Sequence, residues 1–354
     1  MPRAHEVALF ERVEGAGKVR DTPAISVVIT AYQRREYLKR AVDSVLNQTL
    51  DRAAYEIIVV KDFSDPNLDR LLASNGVQSI RESMTMGKAL SLGIQRARGE
   101  IVSFLDDDDV FLPEKLSRVR VAFAENPRLG YLHNAFSVLD ESSKSPSRAV
   151  MRSGTRALTI DPALFSGKRL PSRAHWLGFN LSSVSVRRDW VLSLLPKLEE
   201  LETAPDGFFV VSALAFGVPS VFDPNVLTQY RYHQSTSHFP SSSGEMHVLH
   251  ETEHMKKYVA ALKVIQGMVK GTPMEELIRY DLVYWQLRHA IFNPKSPWKP
   301  RPSDIALFIR GGLKQSTVHP FYLLPAYLAS RIVPGCVHAL FRIWGMRFGG
   351  RRLT

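Results

Sequence analysis

An α/β fold, with a mainly parallel sheet flanked by helices and a helical, basic C-terminal extension, is what this 354-residue sequence predicts. Three observations point there. Short β-branched runs at residues 25–30, 56–60 and 101–105 alternate with segments of helical period, the pattern of βαβ units. Each run ends in a polar turn, which places the turns after Thr30, Val60 and Leu105 on one edge of the sheet. Open α/β sheets bind ligands at that edge, outside the strand carboxyl ends. Beyond residue 245 the pattern becomes largely helical, and prolines at 294–302 set off a last apolar, basic stretch.

Taken in order, residues 1–24 read as a loose arm. ISVVIT at 25–30 reads as a buried strand, and Leu38, Ala41, Val42, Val45 and Leu46 recur at helical spacing behind it. EIIVV at 56–60 is a second buried strand, closed by the turn-forming cluster from Lys61 to Pro66. A short helix at 68–74, a minor strand at 77–80 and a helix at 87–97 follow, until Gly99 breaks the pattern before IVSFL at 101–105. Residues 25–115 thus make a first, Rossmann-like half. In a second half, 116–244, we expect a strand around 130–139, a loop to about 173, a strand at 179–186 and an apolar helix at 207–215 opened by Pro205-Asp206. Residues 245–354 are the helical extension.

Composition narrows the class. At 45% hydrophobic the chain can bury a sizeable core. The single cysteine, Cys336, cannot form an internal disulfide, and residues 1–21 lack the apolar stretch of a secretory signal, so a cytoplasmic location is expected. The net charge is +11, but seven of the 46 basic side chains lie beyond Asp304 and all 35 acidic ones at or before it. That leaves 39 against 35 in the first 304 residues, so the basicity belongs to the C-terminal segment.

Four successive aspartates, Asp106 to Asp109, follow the third buried strand. Adjacent carboxylates repel, and a nearby cation relieves them. Hard divalent ions such as Mg²⁺ or Mn²⁺ suit oxygen ligands and are commonly held by one or two carboxylates plus substrate phosphates. A helix cap would need one aspartate, not four.

With these residues in view, segment 25–116 resembles the family 2 glycosyltransferases, inverting enzymes of the GT-A fold. The resemblance is carried by ISVVITAYQRREYLKRAVDSVLNQT, EIIVVKDFSD and GKALSLGIQRARGEIVSFLDDDD, with Pro113 following. It implies a nucleoside diphosphate sugar as donor, UDP-sugars favoured, with Asp62 and Tyr32 at the nucleoside. It places Asp106 and Asp108 at the outer positions of the DXD motif as metal ligands, and Asp106 and Asp107 among the donor contacts. It also points to Asp206 as catalytic base, with Glu202 behind it, although an aspartate at a helix start is often an N-cap. Tyr230-Arg231-Tyr232-His233 matches a loop that closes over the donor: Arg231 for the diphosphate, His233 for diphosphate or metal, or a packed loop histidine. Lys88 is either a cation near the diphosphate or a helix-surface lysine. The chain departs from the family where Lys61 precedes Asp62, where Phe63 replaces a common glycine, and where Leu90-Ser91 stand for an Arg-Asn pair. The acceptor implied is a glycan or a lipid-linked glycan, in cell-surface glycan or glycolipid synthesis.

Rival classes fit less well. A dinucleotide oxidoreductase needs a glycine-rich turn after the first strand, and residues 31–35 contain no glycine. A sugar nucleotidyltransferase would hold the same nucleotide and metal, and a non-catalytic nucleotide-sugar-binding relative would keep the site without turnover. The acidic strand-end pocket argues against nucleic acid. Residues 321–346 mix apolar side chains with Arg331 and Arg342 and no acid. The charge-free run 315–330 is broken by Pro320 and Pro325 and is shorter than the roughly 20 residues a span requires. Such a segment either lies peripherally on an anionic cytoplasmic leaflet or packs as an ordinary helical extension.

Overall fold

The computed structural model describes residues 22–32, 35–140, 147–151, 156–161, 178–232, 244–293, 295–314 and 319–332. Its first half runs β1 (Ile25–Ala31), α1 (Arg35–Leu46), β2 (Tyr55–Lys61), α2 (Pro66–Ser74), β3 (Gln78–Arg81), α3 (Met86–Arg96) and β4 (Ile101–Asp106). β1 pairs in parallel with both β2 and β4, and β2 with β3. The order is therefore 3-2-1-4, and the chain changes direction of travel across the sheet between β1 and β4. That switch opens a crevice at their carboxyl ends. α2 begins two residues before the apolar period does, because Asp65 caps it by accepting from the Asn67 and Leu68 N–H groups.

The second half contains β5 (Val110–Phe111), α4 (Lys115–Glu125), β6 (Tyr131–Asp140), β7 (Ser147–Met151), β8 (Leu158–Ile160), β9 (Val184–Arg187), α5 (Arg188–Leu192), α6 (Leu195–Leu198), α7 (Pro205–Ala215) and β10 (Ser220–Tyr232). Here the sheet becomes mixed. β9 runs antiparallel between β4 and β6, while β10 lies parallel to β6 and antiparallel to β5 and β8. The parallel arrangement read from the sequence holds for β3-β2-β1-β4, where helices make the crossovers. It gives way in the second half, where β5 and β9 run against their neighbours. The strand expected at 179–186 shortens to β9, since Leu181–Ser183 form a single 3-10 turn behind Asn180, whose φ is +81°. The loop expected up to 173 carries β7 and β8.

Among the described residues four helices follow: α8 (Gly244–Met268), α9 (Glu275–Phe292), α10 (Pro302–Lys314) and α11 (His319–Ile332). Side chains of β1 alternate between two cores, as strand geometry requires. Val27 and Ile29 join α1 and α4 on one face; Val28 joins Phe104, Phe209 and, through α8 and α9, Ile265 and Ile278 on the other. No helix among the described residues is long and apolar enough to cross a membrane.

α3 packs closely enough on β1 that a Cβ on Gly93 would lie 2.4 Å from Val28 Cγ1. Gly93→Ala should lower stability by about 1–3 kcal/mol through overpacking. Denaturant unfolding checks this: because the added methyl and Val28 compete for one space, Gly93→Ala and Val28→Ala should be non-additive, the pair costing less than the sum.

Candidate functional site

Register sets the crevice. Thr30 lies beside Asp106 and Ala31 beside Lys61, so Tyr32, Asp62 and the acidic turn emerge side by side at the β1/β4 switch. The Tyr32 hydroxyl is buried with no hydrogen-bond partner. Burial, then the charges of Asp62 and Asp106, push its pKa above the usual phenol range. It is a protonated donor facing two carboxylates. Lys61, the basic departure from the family pattern, points elsewhere: it is buried, bonds the Phe63 carbonyl at 2.7 Å and pairs with Asp69 at 2.9 Å. Lys61 thus fixes the turn that presents Asp62.

Asp107, Asp108 and Asp109 are buried and Asp106 half-buried. The Asp106 N–H donates to Ser182 Oγ at 3.0 Å. β5 then pairs with β10, which brings Arg231 against the turn. Its N–H donates to Asp109 Oδ1 at 2.8 Å, its Nε to the Asp108 carbonyl at 2.7 Å, and its guanidinium sits 4.8 Å from the Tyr37 ring centroid. In the structure Arg231 braces the acidic turn. Burial, with Asp108 and Asp106 alongside, holds the Asp109 carboxyl well above the ordinary range, against hydrogen bonds from Ser182 and Arg231.

Beneath the turn lies a residue the sequence reading missed. Lys115, fully buried at the start of α4, donates to Asn134 Oδ1 (2.9 Å), the Ser182 carbonyl (2.6 Å) and Thr228 Oγ1 (3.1 Å), and stands 4.1 Å above the Phe111 ring. Three acceptors match the three donors of an ammonium. Burial lowers its pKa, and Asp109 opposes the shift. One sequence signal was available: a lysine in a helix's first turn opposes the macrodipole, so it needs a partner elsewhere.

Across the crevice, Asp206 is the second residue of α7. The N-cap is Ala204, left-handed at φ +58° and without a side-chain cap bond. Asp206 Oδ2 instead accepts the Asn180 N–H at 3.1 Å. The capping alternative is thus not realised, although an acid in the first turn still gains from the dipole. Tyr230 stands between the two acidic groups: burial and then the charges of Asp109, Asp108, Asp106 and Asp206 all raise its pKa. Its ring makes edge contacts with Phe136 and Phe179, with centroids 5.8 and 5.7 Å away.

Of the remaining predicted residues, Lys88 is exposed in the first turn of α3, and Glu202 is exposed and 3.8 Å from Lys257. His233 lies outside the described residues. No group of three or more Cys, His, Asp or Glu side chains among the described residues converges as a metal cluster. An ion that takes one or two carboxylates and completes its shell from a bound diphosphate needs none. Among the described residues the acidic turn offers oxygen donors, which fit Mg²⁺ or Mn²⁺.

His133, buried beside this network, bonds the Phe179 carbonyl through Nε2 at 2.8 Å, and burial lowers its pKa to about 4. The unfolded chain therefore takes up a proton near pH 6.5 that the native state refuses until about pH 4. Stability should fall as pH drops through that window, by on the order of 3 kcal/mol from this group. Urea unfolding at pH 7 and 4.5 should show a smaller drop for His133→Gln than for the parent chain.

The description "Glycosyl transferase family 2" belongs to the sequence model that matches residues 26–202, half of the chain. An uncharacterized glycosyltransferase of Nostoc sp. is 28% identical over 228 residues, covering 62% of this chain and 68% of that protein. Other relatives are matched over a smaller share, down to 18% of an uncharacterized glycosyltransferase of Rickettsia bellii. Among solved structures, S. aureus TarS 1-349 in complex with UDP superposes with a TM-score of 0.55 at 15% identity, over 90% of this chain and 91% of that one. Mannosyltransferase PcManGT from Pyrobaculum calidifontis, in complex with GDP-Man and Mn²⁺, gives 0.51 at 14% identity, over 92% of each. At these identities the likeness is one of fold.

Proposed function

Because the chain belongs to glycosyl transferase family 2, we propose that it moves a sugar, with inversion, from a nucleoside diphosphate sugar to an acceptor hydroxyl. The acidic turn at the β1/β4 switch, with Asp206 facing it across Tyr230, is the observation that supports this most. In this reading Tyr32 and Asp62 receive the nucleoside, and Asp106 and Asp107 contact the donor. Lys88 and Arg231 add positive charge near the diphosphate. Asp106 and Asp108 hold Mg²⁺ or Mn²⁺, with His233 as a further ligand. The ion's chemistry is to neutralise charge on the departing diphosphate. A UDP-sugar is the preferred donor by likeness to the TarS complex with UDP, and a GDP-sugar the runner-up by likeness to PcManGT with GDP-Man.

Asp206 takes the proton from the acceptor hydroxyl as that oxygen attacks the anomeric carbon. The Asn180 N–H on its Oδ2 helps to orient the carboxylate for that step. The acceptor is a glycan or lipid-linked glycan of cell-surface synthesis, reached at the cytoplasmic face of the membrane by a peripheral contact of the C-terminal helices.

Two substitutions test the roles separately. Asp108→Ala relieves like-charge repulsion and keeps the backbone carbonyl that Arg231 uses, so the fold should hold. Titration calorimetry with UDP should then lose its dependence on Mn²⁺; an unchanged metal dependence would refute the ligand role. Asp206→Asn keeps an oxygen for the Asn180 N–H, so nucleotide affinity should persist while transfer falls by about 10²- to 10⁴-fold. Scoring nucleoside diphosphate release across a donor panel measures it, and normal turnover would remove Asp206 from the chemistry.

A further inference from the structure

Eight large apolar side chains are exposed among the described residues, and six of them sit on α10 and α11: Ile309, Leu313, Phe321, Tyr322, Leu328 and Ile332. Their spacing is regular. On α10, Ile309 and Leu313 are one turn apart, and on α11 Phe321, Pro325, Leu328 and Ile332 line one stripe. The opposite faces do the packing. Leu307, Phe308 and Leu323 bury against Tyr280, Val283, Leu287 and Ile291 of α9, and a Cβ on Gly311 would lie 2.6 Å from the Tyr280 ring. The apolar stripes thus point away from the core that anchors them. Exposure of 62% at Leu313, 63% at Phe321, 61% at Leu328 and 80% at Ile332 is costly in water. Arg310 and Arg331 are exposed beside them, and the sequence has no carboxylate after Asp304.

A row of rings leads inward from this face. Ring centroids are 5.9 Å apart for Tyr322 and His319, 4.8 Å for His319 and Tyr284, 5.4 Å for Tyr284 and Trp285, and 4.7 Å for Trp285 and Tyr258. Arg288 lies 4.9 Å from the Trp285 centroid. His319, Tyr284, Trp285 and Tyr258 are all half-buried. At its inner end, α8 packs on α7, and the charge of Asp206 adds to burial in raising the Tyr258 pKa.

We propose that α10 and α11 seat the protein on an anionic membrane surface, and that the ring row leads a lipid-borne acceptor from that surface to Asp206. The inference rests on the glycosyltransferase reading for its second part and names the acceptor class of that site. An apolar stripe flanked by arginines fits the interface of an anionic leaflet, where insertion of side chains and attraction of cations add. Aromatic faces offer apolar surface with polar edges, the chemistry that suits sugar rings passing along them.

Flotation of the full chain with phosphatidylcholine vesicles, with and without phosphatidylglycerol, tests the seat. The chain should float with the anionic vesicles and lose about tenfold or more of that binding in Leu328→Ser/Ile332→Ser, both sites being exposed. An unchanged thermal midpoint by circular dichroism verifies that the variant is folded. Absence of flotation, equal flotation of variant and parent, or a concentration-dependent dimer that the variant abolishes without any vesicle binding would overturn the proposal. Native membranes incubated with radiolabelled UDP-sugars or GDP-mannose test the acceptor: label should enter the solvent-extractable lipid fraction. Label confined to water-soluble product overturns the lipid-borne acceptor and leaves the glycosyltransferase reading intact. Failure to bind or consume any donor counts instead against that reading, while flotation still decides the membrane seat.

Discussion

The Lys115 ammonium beneath the acidic turn is the interaction on which the crevice depends. A buried charge costs several kcal/mol unless it is paired and fully hydrogen-bonded. Lys115 meets that demand by tying α4 to Asn134 on β6, Thr228 on β10 and the Ser182 carbonyl. Thr228 in turn donates to the same carbonyl at 3.2 Å and accepts from Asn134 at 3.0 Å. The cation therefore holds together the two strands and the turn on which the four aspartates rest, and it supplies positive charge where those carboxylates crowd. Gln48 completes the hold from the far side of the turn, donating to the Leu112 carbonyl at 2.8 Å and accepting the Leu116 N–H at 2.9 Å.

The second constraint is the segment from Phe179 to Ser183. Asn180 adopts a positive φ, at a cost on the order of 1–3 kcal/mol for a residue other than glycine. That conformation persists because Asn180 bonds Asp206 through its N–H and the Ser182 N–H through Oδ1, while His133 holds the Phe179 carbonyl. Two residues on, Ser182 bonds the Asp106 N–H. One short strained segment thus fixes the distance between the acidic turn and Asp206, the two groups that the proposed chemistry needs on opposite sides of a sugar.

The C-terminal helices extend this arrangement without a core of their own at the inner end. α8 and α9 complete the core that begins with Val28 and Phe104. Only α10 and α11 stand on a separate small cluster around Tyr280 and Phe308, which leaves their outer faces apolar. Basic composition and apolar stripe coincide on that face, and neither would explain the other alone.

From the sequence alone came the parallel half of the sheet, the strand-end edge and the acidic residues on it. Strand and helix periods are local, and the strand-end rule converts them into a site. The same local signals located Asp206 at the start of α7. Local pattern could not show that Asp206 bonds Asn180 instead of capping its helix, that Arg231 clamps the acidic turn, or that Lys61 turns away into a buried pair. Nor could it single out Ser182, an ordinary residue until the turn ahead of β9 brings its hydroxyl to the Asp106 N–H. Those assignments depend on contacts between residues up to 123 positions apart. Only the tertiary structure decides such contacts, because the partner that satisfies a buried polar group is chosen by packing and not by its neighbours in the chain.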